Sequence, residues 1–303
     1  MNTEKLLNLA RELECRVMYD EPLSEHTTFK VGGKCTAMVD VASVECLSKL
    51  AAAANQLEVR TIVLGKGSNV IFDDKGFKGV VLLMGSSVDQ IYMADETTIY
   101  AQAGCSLVKL CRFALEHSLS GLEFSYGIPG TVGGAIYMNA GAYGGEIRDV
   151  IKSVTSVNKN GGIHMLAAEQ LEMSYRHSCF TDNGEIITSG LFRLTPGNYD
   201  DIQDKMVELM GRRREKQPLE FPSAGSTFKR PEGQFAGKLI QDCGLRGYAV
   251  GGAQVSEKHC GFVINRGGAT SGDILQVIRD VQKTVEEKTG FFLECEVRYI
   301  PYE

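Results

Sequence analysis

Residues 121–145 read GLEFSYGIPGTVGGAIYMNAGAYGG, and the fold depends on what such a stretch can be. Eight of its 25 residues are glycine, and Glu123 is the only charged one. A surface loop carries more charge, and a packed helix or strand interior tolerates few glycines. Two readings remain. One is a tight glycine-packed core turn. The other, which we favour, is backbone brought close to a ligand, with N–H groups supplied where side chains would obstruct. Ser125, Thr131 and Asn139 add small polar groups, while Tyr126, Ile128 and Tyr137 offer surfaces against which a flat ring packs.

A second glycine cluster lies upstream. Residues 59–64 have the composition of a short strand and run into Gly65-Lys66-Gly67-Ser68-Asn69. A dinucleotide-binding βαβ unit requires a third glycine in register and a helix after it. Neither is present, since 70–76 reads as a short extended piece and a turn. The cluster is either a plain strand-ending turn or a compact nest aimed at an anion.

Periodicity supplies the rest. Leu6, Leu7, Leu9, Ala10 and Leu13 recur at helical spacing, Ser43 caps a helix through Gln56, and Ser106 caps another over 107–119. Strands are expected near 37–41, 80–84, 97–102, 150–157 and 185–194. A helix follows over 200–215, then a Pro-rich loop (Pro218, Pro222), a helix over 272–288 and a last strand over 291–300. Strands outnumber helices irregularly in the middle third, which favours α+β over a doubly wound parallel sheet. The turn residues Pro196-Gly197 place a domain boundary near 196–200.

Composition excludes several classes. Hydrophobic residues make up 43% and charged residues 23% of 303, an ordinary globular balance. The net charge of -6, with no basic patch, argues against nucleic-acid binding. The run Arg212-Arg213-Arg214-Glu215-Lys216 reads as a solvated helix end. No apolar run is long enough to insert in a membrane, and the charged amphipathic N-terminus is not a signal peptide. Nine cysteines, none spaced Cys-x-x-Cys, read as thiols in a reducing cytoplasm and give no zinc signature. His26, His117, His164 and His177 show no ligand spacing, so no metal is expected. No obligate protein partner is evident.

The two clusters, VLGKGSN and GIPGTVGGAIYMNAGAYGGE, together resemble the UDP-N-acetylenolpyruvoylglucosamine reductase family, within the vanillyl-alcohol-oxidase-like (PCMH-type) flavoproteins. The resemblance continues through Ser174-Tyr175-Arg176-His177-Ser178, residues 222–229 (PSAGSTFK), 236–240, 255–259 and 261–265, and ends at Glu296-Val297-Arg298. It implies an α+β protein: a two-lobed FAD-binding domain over 1–197 (lobes roughly 1–85 and 86–197) and a smaller substrate-binding domain over 198–303. FAD would be held non-covalently by Gly65, Lys66, Gly67, Ser68, Asn69, Tyr126, Gly127, Ile128, Pro129, Gly130, Thr131, Gly133, Gly134, Asn139 and Ala140. The implied reaction uses NADPH to reduce the enolpyruvyl group of a UDP-sugar for peptidoglycan synthesis. Only Thr-Asp-Asn stands between Phe180 and Gly184, so the chain is similar to the shorter type that lacks an inserted covering loop. Cys295 stands where proline is expected, and Arg230 where asparagine is frequent.

The resemblance also assigns roles. Hydride addition to a vinyl ether leaves negative charge beside a carboxylate, and a guanidinium grips such a group in planar, bidentate fashion. Arg176 takes that role. Strand alternation puts Glu294, Glu296 and Arg298 on one face, where Glu296 would either polarise the enol or orient Arg176. Ser226, in no Gly-x-Ser-x-Gly elbow, is selected over Ser223 as proton donor. Tyr175, Lys216, Lys229, Arg230 and His259 are assigned to substrate. The alternatives are a PCMH-type alcohol dehydrogenase or oxidase sharing the cofactor domain, and a non-catalytic nucleotide-binding module.

Overall fold

The computed structural model describes residues 2–303, which divide into two compact units. The first comprises residues 2–19, Ala37–Gly65 and Gly79–Arg212; the second comprises Asp20–Thr36, Lys66–Lys78 and Arg213–Glu303. Compactness therefore cuts the chain differently from a linear boundary near 196–200. Two early segments belong with the C-terminal third.

The first unit is built on a five-stranded antiparallel sheet in the order Ile163–Ala167, Ile151–Val157, Ile186–Arg193, Thr98–Gln102, Ile91–Met93. A second sheet pairs Arg16–Tyr19 with residues 37–40 and sets Thr61–Leu64 parallel to 80–83. Val80, Val81 and Leu82 are all buried, which a strand packed on both faces requires. Helix Val44–Gln56 starts where Ser43 accepts the Cys46 N–H at 3.1 Å, and it buries Leu47, Leu50, Ala51 and Ala54. Helix Leu107–Glu116 starts likewise at Ser106. Each fully buried leucine among these stabilises the unit by roughly 1.5–3 kcal/mol.

The second unit has its own core, in which Phe29, Val31 and Ile71 pack with Ile240, Val255, Val263 and the buried stripe of helix Ser271–Thr289. That stripe is Ile274, Val277, Ile278, Val281 and Val285, one face of a 3.6-residue period. Thr270 and Asp273 cap the helix reciprocally, and Asp74 accepts the N–H groups of Ser271 (2.7 Å) and Gly272 (3.1 Å). Val70–Phe72 runs parallel to Arg298–Ile300. The expected strand over 291–300 is thus real only at its end. From 291 to 297 the backbone is irregular, bridged at Phe228–Cys295 and tied by the Gln282 amide to the Leu293 carbonyl.

Candidate functional site

The glycine stretch of the first unit holds a helix that the sequence hides. Val132–Tyr137 is helical, and the Thr131 hydroxyl accepts the Gly134 N–H. The Val132 and Gly133 N–H groups go to the carbonyls of Cys105 (2.8 Å) and Ala103 (2.9 Å). Those amides hold protein to protein and do not form part of an open nest. Gly65, the first residue of the other glycine cluster, also lies here. A Cβ on Gly65 would stand 2.4 Å from Thr131 Oγ1, and one on Gly133 would stand 2.9 Å from Ala103 Cβ. Both positions need glycine for close approach. Gly134 is different: it is exposed, and a Cβ there meets only Thr131 Oγ1 at 3.7 Å.

Ahead of and within the helix, Tyr126, Gly127 (φ +90°), Ile128, Pro129, Gly130 and Gly134 keep surface open. The one charge of the stretch, the half-buried Glu123, is tied to the main chain, accepting the Gly121 N–H at 2.9 Å. The Ser125 hydroxyl is fully buried against the Leu122 carbonyl and Cys111, whose thiol burial pushes up to about 12. What remains open is uncharged, rich in backbone and flanked by Tyr126 and Ile128. These residues fit a flavin. Ala140 is consumed by the main chain, its N–H on Ala135 and its carbonyl on Ile147.

Beyond the helix, Gly141–Ala142 and Gly145–Glu146 form a hairpin whose tip is Tyr143-Gly144, both at positive φ (54° and 91°). Arg176 lies in a second tight turn, closed by reciprocal Ser174 and His177 backbone bonds, and its Nη2 donates to the Gly141 carbonyl at 3.1 Å. The guanidinium also covers the ring of Tyr175, 4.9 Å from its centroid. Tyr143, exposed and left-handed at the tip, is a candidate that residue counting overlooked. A bulky residue inside a glycine run was the available signal.

In the second unit, Lys66 is exposed, and Gly67 (φ +58°) lies so close to His26 that a Cβ would reach its carbonyl oxygen at 2.2 Å. The half-buried Asn69 donates to the Glu296 carbonyl at 3.1 Å and accepts the Arg298 N–H at 3.0 Å. Residues 226–229 lie alongside 294–297. Glu296 N–H donates to Thr227 O at 2.9 Å, and Lys229 N–H to Glu294 O at 2.8 Å. Ser226 and Glu296 are thereby neighbours across Thr227. Among the described residues nothing hydrogen-bonds the half-buried Ser226 hydroxyl. The Ser223 backbone bridges to Ile264, and its carbonyl accepts the Thr28 hydroxyl.

The proposed substrate residues fare unevenly. Lys216 is exposed and has no carboxylate partner among the described residues. Lys229 is already paired with Glu294 at 2.5 Å, and Arg230 stacks over Phe235. His259 accepts the Gly261 N–H on Nδ1, packs edge-on against Phe262, and is pushed below its ordinary pKa by burial. It can donate from Nε2 but brings no charge near neutral pH. The basic run ending helix Tyr199–Lys216 is not wholly solvated: Arg213 is buried and bonds Gln217.

Comparisons with known proteins agree with this geometry. Residues 35–167 match an FAD-binding domain, and 217–300 match the C-terminal domain of UDP-N-acetylenolpyruvoylglucosamine reductase. The fold and these matches define an FAD-containing oxidoreductase of mixed α and β structure, with an FAD-binding domain and a smaller C-terminal domain. The chain is 50% identical to the UDP-N-acetylenolpyruvoylglucosamine reductase of Lachnoclostridium phytofermentans over 94% of this chain and 93% of that protein. It is 44% identical to that of Caldanaerobacter subterraneus subsp. tengcongensis, covering 98% of each. A crystal structure of the Thermus caldophilus enzyme superposes with a TM-score of 0.80 at 33% identity, covering 95% of this chain and 99% of that one. This chain belongs to the UDP-N-acetylenolpyruvoylglucosamine reductase family.

Proposed function

We propose that the chain reduces the enolpyruvyl group of UDP-N-acetylglucosamine enolpyruvate to UDP-N-acetylmuramate with NADPH, a cytoplasmic step of peptidoglycan synthesis. One observation carries this reading: a flavin-type glycine stretch and the family's C-terminal domain occur in one chain, over nearly its whole length. The C-terminal match also speaks against an alcohol oxidase that shares the cofactor domain alone. We retain 1–197 as the cofactor domain and 198–303 as the substrate domain. No helix among the described residues is long and apolar enough to cross a membrane.

FAD, when bound, would supply the hydride chemistry, with NADPH as its reductant. Tyr126, Gly127, Ile128, Pro129, Gly130 and Gly134 would hold it, and no histidine or cysteine in that stretch offers a covalent link. Arg176 grips the substrate carboxylate, where charge gathers as hydride arrives. Glu296 polarises the enol. Ser226 delivers a proton to the carbon next to the carboxylate, completing addition of one hydride and one proton across the double bond. Lys66 and Lys216, both exposed, suit a diphosphate better than Lys229, whose charge is matched.

The deciding experiment mixes purified, flavin-loaded protein with NADPH. Oxidation of NADPH should depend on added UDP-N-acetylglucosamine enolpyruvate. Oxidation that ignores the sugar nucleotide overturns the assignment.

A further inference from the structure

Two side chains hold the Tyr175-Arg176 turn from its two ends. On one side, Asn139 Nδ2 donates to the Ser174 carbonyl at 2.9 Å. On the other, Ser178 Oγ donates to the Tyr137 carbonyl at 2.7 Å. Both residues are fully buried. Between these anchors Arg176 adopts φ +56°, a left-handed conformation that a non-glycine residue keeps only when its surroundings enforce it.

The Asn139 amide is fully occupied. Its NH2 also donates to Glu146 Oε2 at 3.0 Å, and its Oδ1 accepts the Arg148 N–H at 3.0 Å. An amide has two donors, and both are engaged inside the protein. No donor remains for a flavin or a sugar. Two residues further on, the Gly141 carbonyl receives the Arg176 guanidinium. The segment from Asn139 to Gly141 therefore holds one end of the turn and the side chain of Arg176.

We infer that Asn139 is a positioning residue that sets the place and aim of Arg176, and that it is not a ligand of the cofactor. The inference rests on the reading of Arg176 as the group that grips the substrate carboxylate. It adds to that reading the device that makes the grip rigid before substrate arrives.

The test is a double-mutant cycle on the FAD-loaded protein with Asn139→Ala, Arg176→Ala and the pair. Three quantities are read: flavin retained per chain, rates of the two half-reactions, and calorimetric affinity of the oxidised protein for UDP-N-acetylglucosamine enolpyruvate. Asn139→Ala should keep its flavin and its reduction by NADPH. Its reoxidation by the enolpyruvyl sugar should slow by about ten- to a hundredfold, and its affinity for that sugar should weaken. In the Arg176→Ala background the same change should add less than about twofold in either quantity. Effects that multiply in the pair, or flavin loss with normal reoxidation of the loaded fraction, overturn the inference while leaving the role of Arg176 intact. An Arg176→Ala protein that binds and reoxidises normally removes both. If Asn139→Ala does not fold, Ser178→Ala takes its place, with the same signature expected and the same outcomes against it.

Discussion

A guanidinium presents a planar two-pronged donor set, and in Arg176 that fork is steered by the Gly141 carbonyl and the Tyr175 ring. Lysine would keep the charge and lose the fork. On the proposed role, in which its grip strengthens in the transition state, Arg176→Lys should lower turnover by at least about tenfold at unchanged flavin content. The ratio of flavin to protein absorbance and kcat check it, and wild-type turnover would remove Arg176 from the chemistry. Ser226 makes a finer separation possible, since reduction by NADPH needs no substrate proton. In Ser226→Ala, loss of yellow absorbance on mixing with NADPH should stay near normal. Return of the absorbance with the enolpyruvyl sugar should slow by about a hundredfold or more, as for loss of a positioned acid. Ser223→Ala should do neither, because Ser226, next to Thr227, is the serine adjoining the Thr227–Glu296 pairing, and the contacts of Ser223 to Thr28 and Ile264 are made by its backbone and survive the change. A large defect in Ser223→Ala with a mild one in Ser226→Ala would reverse the assignment.

Adjacent aspartates in the turn after Val70–Phe72 do separate work. Asp74 caps helix Ser271–Thr289, while Asp73 accepts the Tyr299 hydroxyl. That bond holds the Asp73 carboxyl below its ordinary 3.8 and pushes the Tyr299 hydroxyl up to about 12. The signs define a window. A lowered carboxyl contributes stability above 3.8 that is lost as pH falls through its folded value. A raised phenol contributes stability below 10.0 that is lost as pH rises toward about 12. Tyr299→Phe should thus lower Tm by a steady amount between those limits, and the gap should close outside them. A gap that grows at high pH would contradict it. The contrast with the sequence is sharpest among such elements. Helices begun by Ser43 and Ser106 were legible because cap and apolar stripe are local. Val132–Tyr137 was not, because Gly133 and Gly134 are poor helix formers and its first amides are satisfied by Ala103 and Cys105, far away in sequence. Residues 291–297 alternate like a strand yet lie against a loop at 226–229, so the period was right and the element was not. Arg213 and Asn139 show one limit of the sequence. Their type and spacing were visible, but the partners that bury or occupy them were not.

At the scale of the molecule, sequence order and packing disagree. Phe29, Val31 and Ile71, from segments 20–36 and 66–78, are buried in one core with residues from 224–297. A fragment of residues 198–303 would lack them, at roughly 1.5–3 kcal/mol for each large side chain against a total stability of about 5–15 kcal/mol. It would also lack the Asp74 cap and the partner strand of Arg298–Ile300. Expressed alone, 198–303 should show no cooperative melt and a collapsed amide proton spectrum. A dispersed spectrum would show that the early segments are dispensable. The same interleaving sets a schedule during synthesis. Val297 leaves the ribosome more than two hundred residues after Ile71. At about 5–20 residues per second, that interval is roughly 10–45 s. For that time Phe29, Val31 and Ile71 are apolar side chains on a nascent chain that still lacks the last partners of their core. This enzyme therefore emerges with a built-in waiting period, and holding chaperones have their opportunity within it.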